Sequence, residues 1–273
     1  MSTLYVSDLD GTLLRSDETV SEFTCQTIHE LVEKGMLFSY ATARSYHTAH
    51  KVTQGLDARI PIIVYNGTFV KDNVTGEILI SNYFEDDIKE VIRHLLENDI
   101  YPIVYAFINN EEKFSFVLEK CHQGAKDFIK TRSGDSRVNE VFDIHDLYQG
   151  NIFYITCIDE KEKLEPFYHQ YKDQYHCLFQ EDIYTQEQWL EIMPLQASKS
   201  NAIKQLKNYL NCDKVVVFGD GLNDIDMFEM ADECYAVENA MKELKQIATA
   251  VIDSNNNDGV AQFLKERIEA HQL

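Results

Sequence analysis

Asp8-Leu9-Asp10-Gly11-Thr12 sets two carboxylates two residues apart at the end of the apolar run Leu4-Tyr5-Val6, and that pairing at a strand end suits chemistry on a small anion. One carboxylate can attack phosphorus and split a difficult displacement into two easier steps through a covalent intermediate. The other can give a proton to the departing alkoxide and later take one from water. Alternation along a strand would turn both side chains to one side, and Gly11 permits a sharp turn beyond them. The same residues also make an ordinary strand-ending turn, because Asp, Gly and Thr are common loop formers. What the chain brings to the same edge decides between the two.

Three other apolar runs end in polar residues: Thr42 follows 36–40, Asn66-Gly67 follows 60–65, and Gly219-Asp220-Gly221-Leu222-Asn223-Asp224 follows 215–218. In open α/β sheets ligands bind outside the carboxyl ends of the strands, so these groups are expected at one mouth. Helix N-termini near Thr12, Ala43 and Gly221 would turn backbone N–H groups toward phosphate oxygens. Asp220, Asp224 and Asp8 together suit a hard divalent cation such as magnesium, which takes few carboxylates and keeps waters and phosphate oxygens. A helix cap accounts for Asn223 or Asp224 singly, but not for two acids and two glycines in one turn. Lys199 opens a helix, where a cation opposes the helix dipole; a neighbouring phosphate would justify it. Three negative charges on Asp8, Asp220 and Asp224 balance one magnesium ion and Lys199.

The elements that must hold these residues follow from periodicity. Runs 4–6, 36–40, 60–65 and 215–218 read as buried parallel strands, and segments 21–34 and 45–54 as the helices between the first three, with Ile28, Leu31 and Val32 on one face. That alternation predicts a doubly wound α/β sheet. After Asn66 the rhythm changes to short strands at 69–70 and 78–80, a helix near 86–98, extended runs at 103–107, 114–118, 151–158 and 184–193, and a helix at 161–171. After Pro194 a helix at 199–210, the strand at 215–218 and a helix at 223–230 restore the earlier order. The expected fold is a Rossmann-like doubly wound core, residues 1–81 and 189–273, with an inserted α+β cap at 82–188. Within the cap, Glu85-Asp86-Asp87 reads as an acidic helix start and 132–137 as a mobile turn or a specificity loop. Trp189 is expected at the returning hinge. The Asn-rich stretch 254–259 reads as a loop before a helix, because a calcium loop counted from Ser254 would need Glu where Lys265 stands.

A formal charge of −21 argues against a nucleic-acid partner, which needs clustered Lys and Arg. Six scattered Cys without a C-x-x-C pair read as reduced thiols. With no basic, apolar leader and no run of membrane-spanning length, the expectation is a cytoplasmic protein without a membrane partner.

The ordered motifs Asp8 to Leu14, Ala41-Thr42-Ala43-Arg44, Asn66-Gly67, Lys199 and Gly219 to Asp224 resemble, over essentially the whole chain, the haloacid dehalogenase superfamily of phosphatases, in its Cof-like subgroup with a large α/β cap. The resemblance implies a magnesium-dependent phosphatase acting on a small phosphorylated metabolite, a sugar phosphate or a phosphorylated cofactor. It implies that Asp8 is the nucleophile and Asp10 the general acid and base. Thr42, Ala43, Lys199 and Asn223 would hold phosphate, and Arg44, Asn66 and Gly67 would lie near the substrate. Magnesium would take Asp8, the main-chain carbonyl of Asp10, Asp220 and, directly or through water, Asp224. The chain departs from the family at Ala43 and Ser200, where glycine is usual. A phosphosugar mutase of the same superfamily and a non-catalytic phospho-ligand sensor are the alternatives.

Overall fold

The computed structural model describes residues 2–56, 59–85, 88–181 and 187–271; Asp86 and Asp87 of the acidic run and residues 184–186 of the expected strand lie outside them. The chain divides into two compact units, Met1–Ser81 with Ser198–Leu273, and Asn82–Ala197.

The first unit begins β1 (Thr3–Asp8), α1 (Glu22–Glu33), β2 (Leu37–Ala41), α2 (Tyr46–Val52), β3 (Pro61–Val64), β4 (Phe69–Asp72) and β5 (Ile78–Ser81). Each helix start is fixed by a serine: the Ser21 hydroxyl accepts the Thr24 N–H at 3.0 Å and the Ser45 hydroxyl accepts the Thr48 N–H at 3.1 Å, satisfying donors that a helix leaves unpaired. Ile28 and Leu31 of α1 are buried, as the apolar stripe requires.

The second unit runs α3 (Lys89–Glu97), β6 (Ile103–Ile108), β7 (Glu111–Phe116), α4 (Gln123–Lys130), β8 (Val138–Glu140), β9 (Asn151–Asp159), α5 (Lys161–Tyr171), β10 (His176–Glu181) and β11 (Gln188–Met193). Its six-stranded sheet has the order β10-β11-β9-β6-β7-β8 and is antiparallel apart from β7 with β8. Val91, Leu95, Ile155, Leu164, Leu190 and Ile192 belong to its core. The expected boundary at 188/189 is corrected to 197/198, because β11 pairs with β10 on one side and β9 on the other. Backbone pairing on both edges binds this strand to the second unit, whatever the composition change at Pro194 suggests. Trp189 is accordingly a strand residue, edge-on to Phe128 with ring centroids 5.1 Å apart. The turn 132–137 is tied down at its end. Buried Arg137 forks onto Asp135 at 3.0 and 2.7 Å and reaches Glu112 at 2.7 Å.

Glu191 of β11 is buried, and its carboxylate accepts the Tyr154 hydroxyl at 2.7 Å. Burial pushes its pKa up to about 7, against the opposing pull of that hydrogen bond. Between the ordinary glutamate value and about 7 the unfolded chain has lost a proton that the folded chain keeps, so stability falls as pH rises through that window. Replacing Glu191 by Gln should remove this slope. In urea unfolding, Glu191→Gln is expected to gain on wild type between about pH 5 and about pH 8, by roughly 3 kcal/mol at most. A parallel pH dependence in the two proteins would contradict the buried-acid account.

The chain re-enters the first unit through α6 (Lys199–Tyr209), β12 (Lys214–Gly219), α7 (Ile225–Met230), β13 (Glu233–Val237), α8 (Lys242–Ile247), β14 (Ala250–Ile252) and α9 (Gly259–His271). The eight-stranded sheet has the order β14-β13-β12-β1-β2-β3-β4-β5. It is parallel from β14 to β3, and β4 and β5 run antiparallel at one edge. β1 lies at the switch point: the chain winds outward through β2 and β3 on one side, and through β12, β13 and β14 on the other. Ser7 pairs with Phe218 and Asp8 with Ala41, so the carboxyl ends of β1, β2 and β12 open together, where such sheets bind ligands.

Candidate active site

Asp8 is the last residue of β1 and is buried. Lys199, the first residue of α6, reaches it from the far end of the sequence: its ammonium lies 2.5 Å from Asp8 Oδ1 and 2.7 Å from Asp224 Oδ1. The start of α6 is held by Ser198, whose hydroxyl accepts the Asn201 N–H at 3.1 Å. Burial alone would lower the Lys199 pKa, but Asp224 and Asp8 outweigh it and raise the pKa above the ordinary lysine value. The ammonium therefore stays charged. Burial, followed by the charges of Asp224 and Asp220, pushes Asp8 well above the usual carboxylate range, and Lys199 opposes that shift.

Asp220 follows β12 and accepts the Thr12 hydroxyl at 3.1 Å. Burial and then Asp224 push its pKa up to about 6. Asp224 is fully buried, and its Oδ2 accepts the backbone N–H groups of Asp220 at 3.0 Å and Gly221 at 3.1 Å. One carboxylate oxygen from each of Asp8, Asp220 and Asp224 lies within 4.8 Å of the other two. Hard oxygen donors in that number fit a divalent cation that retains waters. Because Asp224 already serves three donors, it suits an orienting role beside Asp8 and Asp220.

Asp10 is placed differently from Asp8. The chain leaves the strand at Leu9 and enters a turn of Leu9–Leu13 in which Asp10 and Gly11 depart from helical angles, so strand alternation is not what brings Asp10 near. Its side chain is exposed and lies outside the acidic group. Arg44 holds it by three hydrogen bonds, Nε to both carboxylate oxygens at 3.0 and 2.8 Å and Nη2 to Oδ1 at 2.6 Å, and also donates to Glu18 at 3.0 Å. Gly11 has φ 75°, and a Cβ there would stand 2.3 Å from Asp220 Oδ2. Only glycine lets the Asp10 turn and Asp220 approach so closely.

Of the residues expected near phosphate, Thr42 is buried just past β2, and its hydroxyl accepts the Arg44 N–H at 3.1 Å. Ala43 is exposed beside it, and Asn223 is exposed on the short turn Leu222–Asp224. Asn66 is buried behind Thr42, donating its N–H to the Thr42 carbonyl at 3.0 Å. Gly67 has a packing role: with φ 99°, its missing Cβ would lie 2.2 Å from the Ser198 carbonyl oxygen, so its smallness lets the loop after β3 seat against the start of α6 and thus against Lys199. Ser200, standing where the family usually has glycine, donates its N–H to Asp226 at 3.2 Å, and its hydroxyl lies 3.0 Å from that of Ser198. Sequence reasoning missed the Thr12–Asp220 bond and the Arg44–Asp10 fork. Both partners of each pair lay in recognised motifs, but no spacing rule links one motif to another.

A family model described as haloacid dehalogenase-like hydrolase matches residues 5–264. Two relatives from Bacillus subtilis are each named 5-amino-6-(5-phospho-D-ribitylamino)uracil phosphatase. YitU is 27% identical, over 96% of this chain and 96% of its own; YwtE is 28% identical, over 95% and 96%. Among solved structures, TM0651 from Thermotoga maritima superposes with a TM-score of 0.77 at 26% identity, covering 97% of each chain. A haloacid dehalogenase-like hydrolase from B. subtilis has the same fold, with a TM-score of 0.75 at 22% identity, covering 96% of this chain and 98% of its own. Among the described residues, no helix is long and apolar enough to cross a membrane.

Proposed function

Because the chain belongs to the haloacid dehalogenase-like hydrolase family and is a phosphatase of it, we propose that it hydrolyses a small phosphorylated metabolite with magnesium, through an aspartyl-phosphate on Asp8. The observation that carries this reading is the buried ammonium of Lys199 joining Asp8 to Asp224 within an acidic group at the sheet's switch point. Such an arrangement keeps a nucleophilic carboxylate oriented and partly neutralised before an anionic substrate arrives.

In the first half-reaction a carboxylate oxygen of Asp8 forms a bond to phosphorus as the ester oxygen departs, and Asp10 gives that oxygen a proton. In the second, Asp10 takes a proton from water as the water oxygen bonds to phosphorus; inorganic phosphate leaves and Asp8 is restored. The Arg44 fork occupies both Asp10 oxygens, which suits Asp10 as the base of the second half-reaction; for the first, one oxygen has to leave the fork and carry the proton. Lys199, the Thr42 hydroxyl and the Ala43 backbone meet the phosphoryl oxygens, with Asn223 at the rim. Magnesium, when bound by Asp8, Asp220 and the Asp10 carbonyl with Asp224 in support, would neutralise charge building on the transferred group.

The names of the B. subtilis relatives favour a phosphorylated ribityl compound, within the wider class of sugar phosphates and phosphorylated cofactors. A phosphate-release panel containing 5-amino-6-(5-phospho-D-ribitylamino)uracil, hexose phosphates, pyridoxal phosphate and flavin mononucleotide tests this. Release is expected from at least one compound, should stop with EDTA and should return when magnesium is added in excess. Rates indifferent to EDTA would remove magnesium from the account, and phosphate moved between sugar positions without release would make the protein a mutase.

A further inference from the structure

The segment after β13 and the Asn-rich loop before α9, which as a sequence suggested no chemistry, together grip the turn that carries Asp10. Two carboxamides do this. Asn239 donates through Nδ2 to the Gly11 carbonyl at 2.7 Å, and buried Asn255 donates through Nδ2 to the Leu14 carbonyl at 2.9 Å. They are joined, because Asn239 Oδ1 accepts the Asn255 N–H at 3.0 Å. Around them, Arg15 forks onto Asp258 at 3.2 and 2.7 Å, and the Ser16 N–H donates to Asn256 at 3.0 Å. The segment after β13 also reaches the acidic group, since the Met241 N–H donates to the Asp220 carbonyl at 2.8 Å.

The Asp10 turn needs such support. Asp10 and Gly11 lie outside helical angles, so no regular ladder orients the carbonyls of residues 11 and 14, and that of buried Leu14 in particular must find a donor elsewhere. We propose that Asn239 and Asn255 are positioning residues for phosphoryl transfer: by holding the Gly11 and Leu14 carbonyls they set the path of the turn and thereby the reach of Asp10. The proposal rests on the phosphatase reading above. A clamp of this kind acts on the rate of reaction of bound substrate more than on binding, because small misplacements of a proton donor are felt chiefly in the transition state.

The test compares wild type, Asn239→Asp, Asn239→Ala, Asn255→Asp and Asp8→Asn, all with magnesium and the best substrate of the panel, below the melting temperature of each protein. Both Asn239 variants lose the donor and only one adds charge; Asn239 is exposed, so they keep the fold if buried Asn255→Asp does not. Both should lose on the order of 10- to 100-fold in kcat, with KM within about threefold of wild type. Asn257→Ala, whose side chain donates only within the loop to Asp253 at 2.9 Å, should keep the wild-type kcat. A purely structural role would lower the melting temperature and leave kcat intact. Wild-type kcat in both Asn239 variants, with Asp8→Asn inactive, would overturn the clamp and leave the phosphatase reading standing. Turnover by Asp8→Asn would withdraw that reading, and the clamp with it.

Discussion

Asp8→Asn is expected to lose turnover by about four orders of magnitude or more while folding at least as stably as wild type in the absence of metal. The amide is nearly the same size as the carboxylate but a poor nucleophile, so the covalent step has no attacking group. Stability should hold because Asp8 is buried among like charges: Asp224 and Asp220 raise its pKa on top of burial, and the exchange removes one of three acids crowded within 4.8 Å. Lys199 keeps a partner, since Asp224 remains at 2.7 Å. Loss of function accompanied by unchanged or raised stability is the expected mark of a group kept for chemistry at a cost to the fold. Thermal melting and phosphate release on one preparation check both halves. A variant that unfolds would assign Asp8 a structural role instead.

Lys199→Met should fail in the opposite manner, losing both properties. The ammonium is the shared counter-charge of two buried carboxylates, and removing one partner of a buried ionic group leaves the others uncompensated, at a cost of about 3–5 kcal/mol. Asp8, already pushed up by burial and by Asp224, loses the charge that opposes both. Turnover should fall by on the order of 100- to 1,000-fold, the usual effect of deleting a preorganised positive contact to the reacting group. Urea unfolding at neutral pH and steady-state rates measure the two losses. Wild-type stability would mean that the cluster is not held together by this lysine.

These two substitutions involve residues that were legible in the sequence, for a physical reason. Buried parallel strands must be written as apolar, β-branched runs, so an acid directly after one, as at Asp8 or Asp220, marks a strand end facing a ligand-binding edge. Lys199 was legible only through its order among the motifs, since helix-opening lysines are ordinarily solvated. The second unit was less legible. α4 is capped by His122, whose Nδ1 accepts the Gly124 N–H at 3.3 Å, outside the usual Ser, Thr, Asp and Asn signals. β8 has three residues and β10 is only half-buried or exposed, too short or too mixed for alternation to show. Arg44 on Asp10, Thr12 on Asp220 and Asn239 on Gly11 were hidden for a different reason. Each bond joins segments 34 to 228 residues apart, and only the folded sheet makes them neighbours.

Covalent catalysis at Asp8 can be read from the trapped intermediate. An acyl phosphate is reduced by borohydride where an ordinary carboxylate is not, so quenching wild type and the slower Asp10→Asn variant during turnover and adding borohydride should convert residue 8 to homoserine, detected by peptide mass. Homoserine is expected at position 8 only when substrate is present, and not in Asp8→Asn. Sustained phosphate release with residue 8 unmodified in both proteins would contradict it.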